Sequence, residues 1–494
     1  MKVKEIFNRI RKGVKAGMAA VTESNTLTDG RVIYLIENFM SSKKRKLMME
    51  GERYYQVDND IMDRKITKKV NGHEEEETWK ANNKLAHGKY KTQVDEKVAY
   101  LLTKPVTFKT ETGENEEIYS KKIKDVLGKR FQYQLTQLGY EASNKGVGWL
   151  QVYVDENGDF KTMLIPSEQC IPYWKDRSHT ELEAMIRVYD TTVWQYNQEK
   201  VVQNVEVWKA DSVAYYRLEG SLLIYDYEKS EDAGGPIAHY KQGNEWKVWG
   251  KVPFIPFKNN QIELPDIKFV KSLIDGYDIG RSEAANYVEE VKNLIFVLKG
   301  YGGQDLSEFM KSINEDRAIP IDDPEDGGVD TITPQMDITA LREHYEQLNR
   351  DIVESGQSVN KDLDKFGSAP SGVALKFMYS GLDLKCNLLE AEFKNGFEML
   401  MYFVDVYLQL TGQGSFENIG IELVFNRDMT VNESEQVQNC NNSKNVISDK
   451  TIIAQHPFVT NVEEEMKALE EQREASAPEW DAVPQIKDDG NDEE

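Results

Sequence analysis

Residues 266–410 constrain the fold more than any other stretch of this 494-residue chain. Beginning at Asp266, the residues Val270, Leu273, Ile274, Tyr277, Ala284, Ala285, Val288 and Val291 step by three or four, the period of an amphipathic helix. At about 28 residues this helix would be roughly 42 Å long. Gly300, Gly302 and Gly303 end it. A compact insert follows, with a short helix over Asp305–Ser312 and strands over Ala318–Ile321 and Val329–Ile332. Ile338, Leu341, Tyr345, Leu348 and Ile352 mark a second helix of about 20 residues, or roughly 30 Å. A break over Asn360–Pro370 precedes a third helix, apolar almost all round (Leu375, Phe377, Leu382, Leu388, Leu389, Phe393, Phe397, Leu400, Phe403), as buried helices are. Forty uninterrupted residues is long for a globular helix, so Gly381 or Gly396 is the expected bend. Long helices joined by small loops, with no catalytic constellation among them, predict a mechanical part: a channel or scaffold rather than an enzyme.

The flanking regions make the chain α+β. Helical spacing covers 29–50, 81–103 (stopping before Pro105) and 117–146. The period then changes to two. Trp149–Val154, the turn Asp155-Glu156-Asn157-Gly158-Asp159, and Phe160, Met163 and Ile165 read as a hairpin. Further strands are expected at Ala184–Tyr189, Val201–Lys209, Val213–Leu218 and Ile255–Lys258, so 147–260 is a β-rich domain among helices. The charged run Glu74–Glu77 reads as a solvated loop, Ile419–Phe425 as a strand, and 431–472 as helical with a break near Pro457.

Charge excludes one class of function. The net charge is −24, of which the segment from Glu463 contributes −10 and is expected to lack structure. An acidic chain does not grip phosphates as a repressor does, although it can surround DNA without holding it. Cys170, Cys386 and Cys440 are too few and too scattered for a disulfide framework or a zinc site. No run of 18 apolar residues predicts a membrane-spanning helix. The N-terminus is basic (Lys2, Lys4, Arg9, Arg11, Lys12, Lys15), and Phe7, Ile10 and Val14 share one helical face, which reads as a solvated or partner-packed helix, with a membrane-surface helix as the alternative.

The chemical motifs are weak. There is no GxxxxGK[ST] phosphate loop. Gly146 and Gly148 fit a tight approach to a strand better than a dinucleotide fingerprint. His73, His87, His179, His239, His344 and His456 are scattered, and no metal or other cofactor is expected. The 155–159 stretch fits a hairpin turn better than a calcium loop, whose terminal Glu it lacks. The acidic cluster at Asp322, Asp323, Glu325 and Asp326 reads as a solvated turn; the alternative is a metal-dependent nuclease using Asp322, Asp323 and Asp326.

Several short stretches together resemble one family. Asn82-Asn83-Lys84-Leu85, leading to Val94-Asp95-Glu96-Lys97-Val98-Ala99-Tyr100-Leu101-Leu102-Thr103-Lys104-Pro105-Val106, is similar to the N-terminal signature of tailed-bacteriophage portal proteins of the SPP1 type. Leu273–Tyr277, Arg281–Asn286 and Val297–Tyr301 resemble that family's stem and clip, and Ser371–Lys376 its segment after the tunnel loop. The resemblance spans roughly residues 30–430.

The resemblance implies a portal fold assembled as a dodecameric ring at the unique capsid vertex of a virion, put together in the host cytoplasm. It implies a basic segment at 1–29, wing 30–265, stem helices 266–293 and 338–357, clip 294–337, tunnel loop 358–370, a long kinked helix and wing return at 371–429, an α-helical crown at 430–470 and an acidic tail at 471–494. Double-stranded DNA would pass through the channel during packaging and ejection. Partners would be further copies of the chain, the terminase large subunit, major capsid and scaffolding proteins and a head-completion adaptor, with no membrane. Tunnel-loop candidates are Asn360, Lys361, Asp362, Lys365, Phe366, Gly367 and Ser368. Stem-lumen candidates are Asp275, Asp278, Arg281, Glu283, Glu289, Glu290 and Lys292. Clip docking candidates are Tyr301, Gln304, Asp305, Glu308, Asp322, Asp323, Glu325 and Asp326. A mildly acidic stem lining would let DNA slide rather than stick. No catalytic residue is implied. Besides the nuclease, the competing reading is a scaffold or adaptor without a channel.

Overall fold

The computed structural model describes residues 27–476, apart from 71, 77–79, 111–113, 196, 231–233, 291–294, 300–327, 333–337, 360–371, 417–418, 428–432 and 460–461. It divides into two compact units: residues up to Asn360 with Gly381–Asp428, and Lys361–Ser380 with Met429–Glu494.

The first unit opens with α1 (Asp29–Ser41) and α2 (Lys43–Tyr55). One helix was expected here. Ser42 splits it by taking an extended backbone and accepting the Arg45 N–H on its Oγ at 3.1 Å, an N-cap inside what reads as continuous periodicity. A short hairpin follows, β1 (Thr67–Val70) and β2 (His73–Glu76), where a solvated loop was expected. Its register sets Lys68 against Glu75 and Lys69 against Glu74, so the acidic run is matched across the strands. Next come α3 (Lys89–Leu102), β3 (Thr107–Thr110), α4 (Glu114–Leu127) and α5 (Phe131–Lys145). The last two divide the helix expected over 117–146 at Gly128, whose φ of 68° suits glycine.

The β-rich region contains two principal sheets. The strands β4 (Val147–Val154) and β5 (Phe160–Ile165) form the expected hairpin, pairing from Trp149↔Ile165 to Val154↔Phe160. The Asp155 carboxylate accepts the N–H groups of Asn157 and Asp159 at 3.0 and 2.9 Å, so it closes the turn. Next are β6 (Cys170–Trp174), β7 (Leu182–Gln195), β8 (Gln198–Trp208), β9 (Val213–Glu219) and β10 (Leu222–Tyr225), an antiparallel meander in sheet order β10-β9-β8-β7-β6. Val32 and Ile36 of α1 cover one face of it, against Ile186, Val188, Val205 and Val207. After the small hairpin β11 (Tyr240–Gln242) and β12 (Glu245–Lys247), β13 (Phe254–Lys258) joins the other side of β4.

The long helices follow: α6 (Ile267–Glu290), the paired strands β14 (Ile295–Lys299) and β15 (Gly328–Ile332), α7 (Ile338–Ser355) and α8 (Gly372–Leu410). The expected bend in α8 is not a break, because the helix is continuous through both glycines. Gly396 serves close approach. A Cβ on Gly396 would lie 2.8 Å from the Pro256 carbonyl oxygen and 3.0 Å from the Phe257 ring. Buried Leu389, Phe393, Phe397 and Leu400 carry the core of this part, and β16 (Ile421–Val424) returns the chain to pair with β3.

The second unit contains α9 (Glu433–Asn442), α10 (Asp449–Ala454) and α11 (Val462–Ser476). Ser448 caps α10, and Arg473 pairs with Asp449 at 3.0 Å. The acidic segment is therefore helical as far as Ser476 rather than structureless from Glu463.

Candidate functional site

The expected stem helix, α6, is the part of the first unit where polar side chains concentrate. Its buried row is Val270, Ile274, Asp278, Ser282 and Asn286, each four residues after the last. The first two are apolar and pack as a helix core should. The last three are polar and need partners, because an unpaired buried polar group costs about 1–3 kcal/mol.

The segment before α3 supplies them. The Asn83 N–H donates to Asn286 Oδ1 at 2.7 Å, the Leu85 N–H to Ser282 Oγ at 3.0 Å, and the His87 N–H to Asp278 Oδ1 at 3.2 Å. Alternate residues of the segment thus meet every fourth residue of α6, running in opposite directions. The spacings match: two extended residues advance about 6.6 Å and four helical residues about 6.0 Å. Asp278 also contacts His87 Nδ1 at 2.7 Å and accepts from Asn59 Nδ2 at 2.5 Å. Burial raises its pKa, against the lowering effect of those bonds.

At the start of α6, Asp266 is shared by Lys97 at 2.8 Å and Lys385 at 3.2 Å. Asn259 Nδ2 donates to its other oxygen at 2.9 Å. Burial opposes its ionisation, but the two ammonium groups outweigh that and hold its pKa at about 2. Lys97, only 1% exposed, also donates to Asn259 Oδ1; burial and the neighbouring Lys385 lower its pKa. On the opposite side of α6, Tyr345 of α7 donates to the Gly280 carbonyl at 2.7 Å, and a Cβ at Gly280 would lie 2.8 Å from its ring. An open groove of about 520 Å³ lies where α6 and α7 meet, lined by Tyr277, Arg281, Tyr287, Val288, Leu341 and Tyr345 among others.

One stem-lumen candidate therefore needs correction. Asp278 is fully buried and cannot face an open bore. Asp275 is a quarter exposed, accepts from Tyr54 and pairs with Lys271 at 2.9 Å. Glu283 pairs with Arg64, and Glu289 accepts from Asn83 at 2.7 Å. The Arg281 guanidinium lies 5.5 Å from the centre of the Tyr345 ring. The side chain of Glu290 and the whole of Lys292 lie outside the described residues, as do all the tunnel-loop and clip candidates. Sequence reasoning missed Asn59, Asn83, Ser282 and Asn286 as a bonded set. The only signal was that two of the family-like stretches, 82–85 and 281–286, contain three of them. Among the described residues no group of three or more His, Cys, Asp or Glu side chains could hold a metal ion, and no helix is long and apolar enough to cross a membrane.

Buried polar contacts thus fix α6 to the body of the first unit. The family described as "Phage portal protein, SPP1 Gp6-like" matches residues 40–479, and the chain belongs to that family. It is 29% identical over 442 residues to the portal protein of Bacillus phage SPP1, covering 89% of this chain and 86% of that one. It is 31% identical over 447 residues to the portal protein of Clostridium phage phiCD119, covering 88% and 94%. Among solved structures, a chain from the neck of an empty GTA particle is similar at 10% identity, with a TM-score of 0.38 and coverage of 75% of this chain and 90% of that one, too slight a likeness to argue from.

Proposed function

We propose that copies of this chain assemble as a dodecameric ring at the capsid vertex and form the channel through which double-stranded DNA is packaged and ejected. The observation that carries the reading is the family match across residues 40–479, which includes both helices α6 and α7. The polar latches on α6 suit the part: a helix lining a channel must keep its position while a long polymer passes. In this reading the wing is 30–265, the stem α6 and α7, the clip 294–337, the tunnel loop 358–370 and the crown 430–470. The clip receives the terminase large subunit during packaging and the head-completion adaptor afterwards. Major capsid and scaffolding proteins surround the ring, which forms in the host cytoplasm. The protein itself is non-enzymatic, and the motor chemistry belongs to the terminase.

Negative-stain microscopy of the purified protein tests the ring: a class average with twelve-fold symmetry and an open centre is expected, and monomers alone at micromolar concentration refute it. The tunnel loop has a separate test. Changing Lys361 and Lys365 together to Glu should leave the ring intact and impair packaging; normal packaging would remove those side chains from any role in DNA passage.

A further inference from the structure

We propose that the face of the β7–β8 arm that carries Trp194 and Val201 is the docking site for this chain's own residues 1–26. The two strands pair without interruption from Met185↔Trp208 to Gln195↔Gln198. Their neighbours stop short. β6 reaches only as far as Arg187 on β7, and β9 only as far as Gln203 on β8. The remainder is a two-stranded ribbon, which is marginally stable alone in water.

Its two faces differ. Ile186 and Val188, with Val205 and Val207, face α1. Side chains alternate along a strand, so that face continues through Asp190, Thr192 and Trp194 on β7 and Gln203, Val201 and Glu199 on β8. Trp194 is 72% exposed and Val201 63%. The core face of the sheet thus runs out from under α1 with two exposed apolar side chains, Trp194 and Val201, among polar and acidic ones. Its charges among the described residues are Asp190 and Glu199, both acidic, since Lys200 lies opposite Val193 on the other face.

The chain itself contains a matching segment. Leu27, the first described residue, packs on the same core cluster as α1, so the described chain begins on this side of the sheet. Those 26 residues carry Phe7, Ile10 and Val14 at helical spacing, with six basic residues from Lys2 to Lys15 against Glu5 and Glu23. Apolar meets apolar and positive meets negative. Reach is sufficient: a helix of this length spans up to about 39 Å, and the free part of the arm is roughly 25 Å long.

Hydrogen–deuterium exchange on the full chain and on a chain lacking residues 1–26 is the first test. Amides of 191–202 should exchange at least about tenfold faster after the deletion, the factor to which about 1.4 kcal/mol of lost contact corresponds. In the full-length protein, Trp194→Ser with Val201→Ser should speed tryptic cleavage after Arg9, Arg11 and Lys12 by a similar factor. Both substituted residues are exposed, so the fold should tolerate the change. Val14→Cys with Val201→Cys identifies the occupant, since the described native cysteines are buried. A disulfide within one chain supports the proposal. A disulfide between chains, placing a second copy on the arm, overturns it, as do unchanged exchange and cleavage rates.

Discussion

Asp266→Asn should be among the most damaging single changes in the first unit, and it should be worse than Lys97→Met in the same cluster. The reason is the count of charges. One carboxylate serves two ammonium groups, at 2.8 and 3.2 Å, with Lys97 1% and Lys385 12% exposed at the side chain. Removing the carboxylate leaves two buried cations facing each other with only neutral partners, and breaking a buried pair costs about 3–5 kcal/mol. Removing Lys97 instead leaves the pair of Asp266 and Lys385, fills the space with an apolar chain and orphans one oxygen of Asn259, a loss of about 1–3 kcal/mol. Denaturant midpoints followed by tryptophan fluorescence give both values. The pH dependence adds a second constraint. The folded pKa of Asp266 lies below its ordinary 3.8, at about 2. Its contribution is therefore complete above the ordinary value and disappears as pH falls through about 2. The gap between the parent and Asp266→Asn should narrow by on the order of 2 kcal/mol between pH 5 and pH 2. Equal destabilisation by the two substitutions, or a gap that does not change with pH, would refute the charge-sharing argument.

Two glycines in long helices should respond in opposite ways. Gly396→Ala forces a Cβ to within 2.8 Å of a backbone carbonyl and should cost about 1–3 kcal/mol. Gly276→Ala on α6 meets nothing within 4 Å and should gain about 0.5–1 kcal/mol. Thermal melting of the two variants measures the contrast, and a destabilised Gly276→Ala would mean that something outside the single chain covers that site. Ser282→Ala removes the acceptor for the Leu85 N–H, so exchange at that amide should quicken while amides in α5 stay slow.

How much of this was legible depended on whether local pattern and tertiary demand agreed. The 149–165 hairpin was readable because strand alternation, Asn157-Gly158 and the Asp155 side chain all point to one turn. The division of 29–50 at Ser42 was not, because the apolar period continues across it and only the cap geometry shows the break. The β1–β2 hairpin was missed for a different reason: its register sets Lys against Glu across the strands, and a charge run on its own looks like solvent-facing loop. The same bias misplaced Asp278 of α6. Asp278, Ser282 and Asn286 continue the buried row that Val270 and Ile274 begin, but periodicity assigns polar residues outward. The segment at 83–87, about 200 positions earlier in sequence, together with Asn59, makes their burial affordable.

That burial changes the electrostatics of any channel built from α6. A lining that repels phosphate was expected from the surplus of acids over bases on this helix. Asp266 and Asp278 are inside the protein, and Asp275, Glu283 and Glu289 are bonded to Lys271, Arg64 and Asn83 of the same chain. A carboxylate beside its own cation, as at Asp275 and Glu283, presents a dipole rather than a charge, whereas Glu289 beside neutral Asn83 keeps its charge; at physiological salt the residual field decays over about 8 Å. The helix is therefore closer to electrically neutral toward a neighbour or a duplex than its composition suggests. Low friction for DNA would then come from the small number of free cations on α6, where Lys271 is paired with Asp60 and Asp275, Arg281 lies over Tyr345, and Lys268 is exposed at the start of the helix. Repulsion would be a minor part of it. A lining of this kind predicts weak dependence of translocation on ionic strength, whereas a repulsive acidic bore predicts that added salt slows or speeds passage markedly as its field is screened. Packaging rates measured from low to physiological salt decide between the two, and a steep dependence that survives Lys361→Glu with Lys365→Glu would overturn the neutral-lining argument.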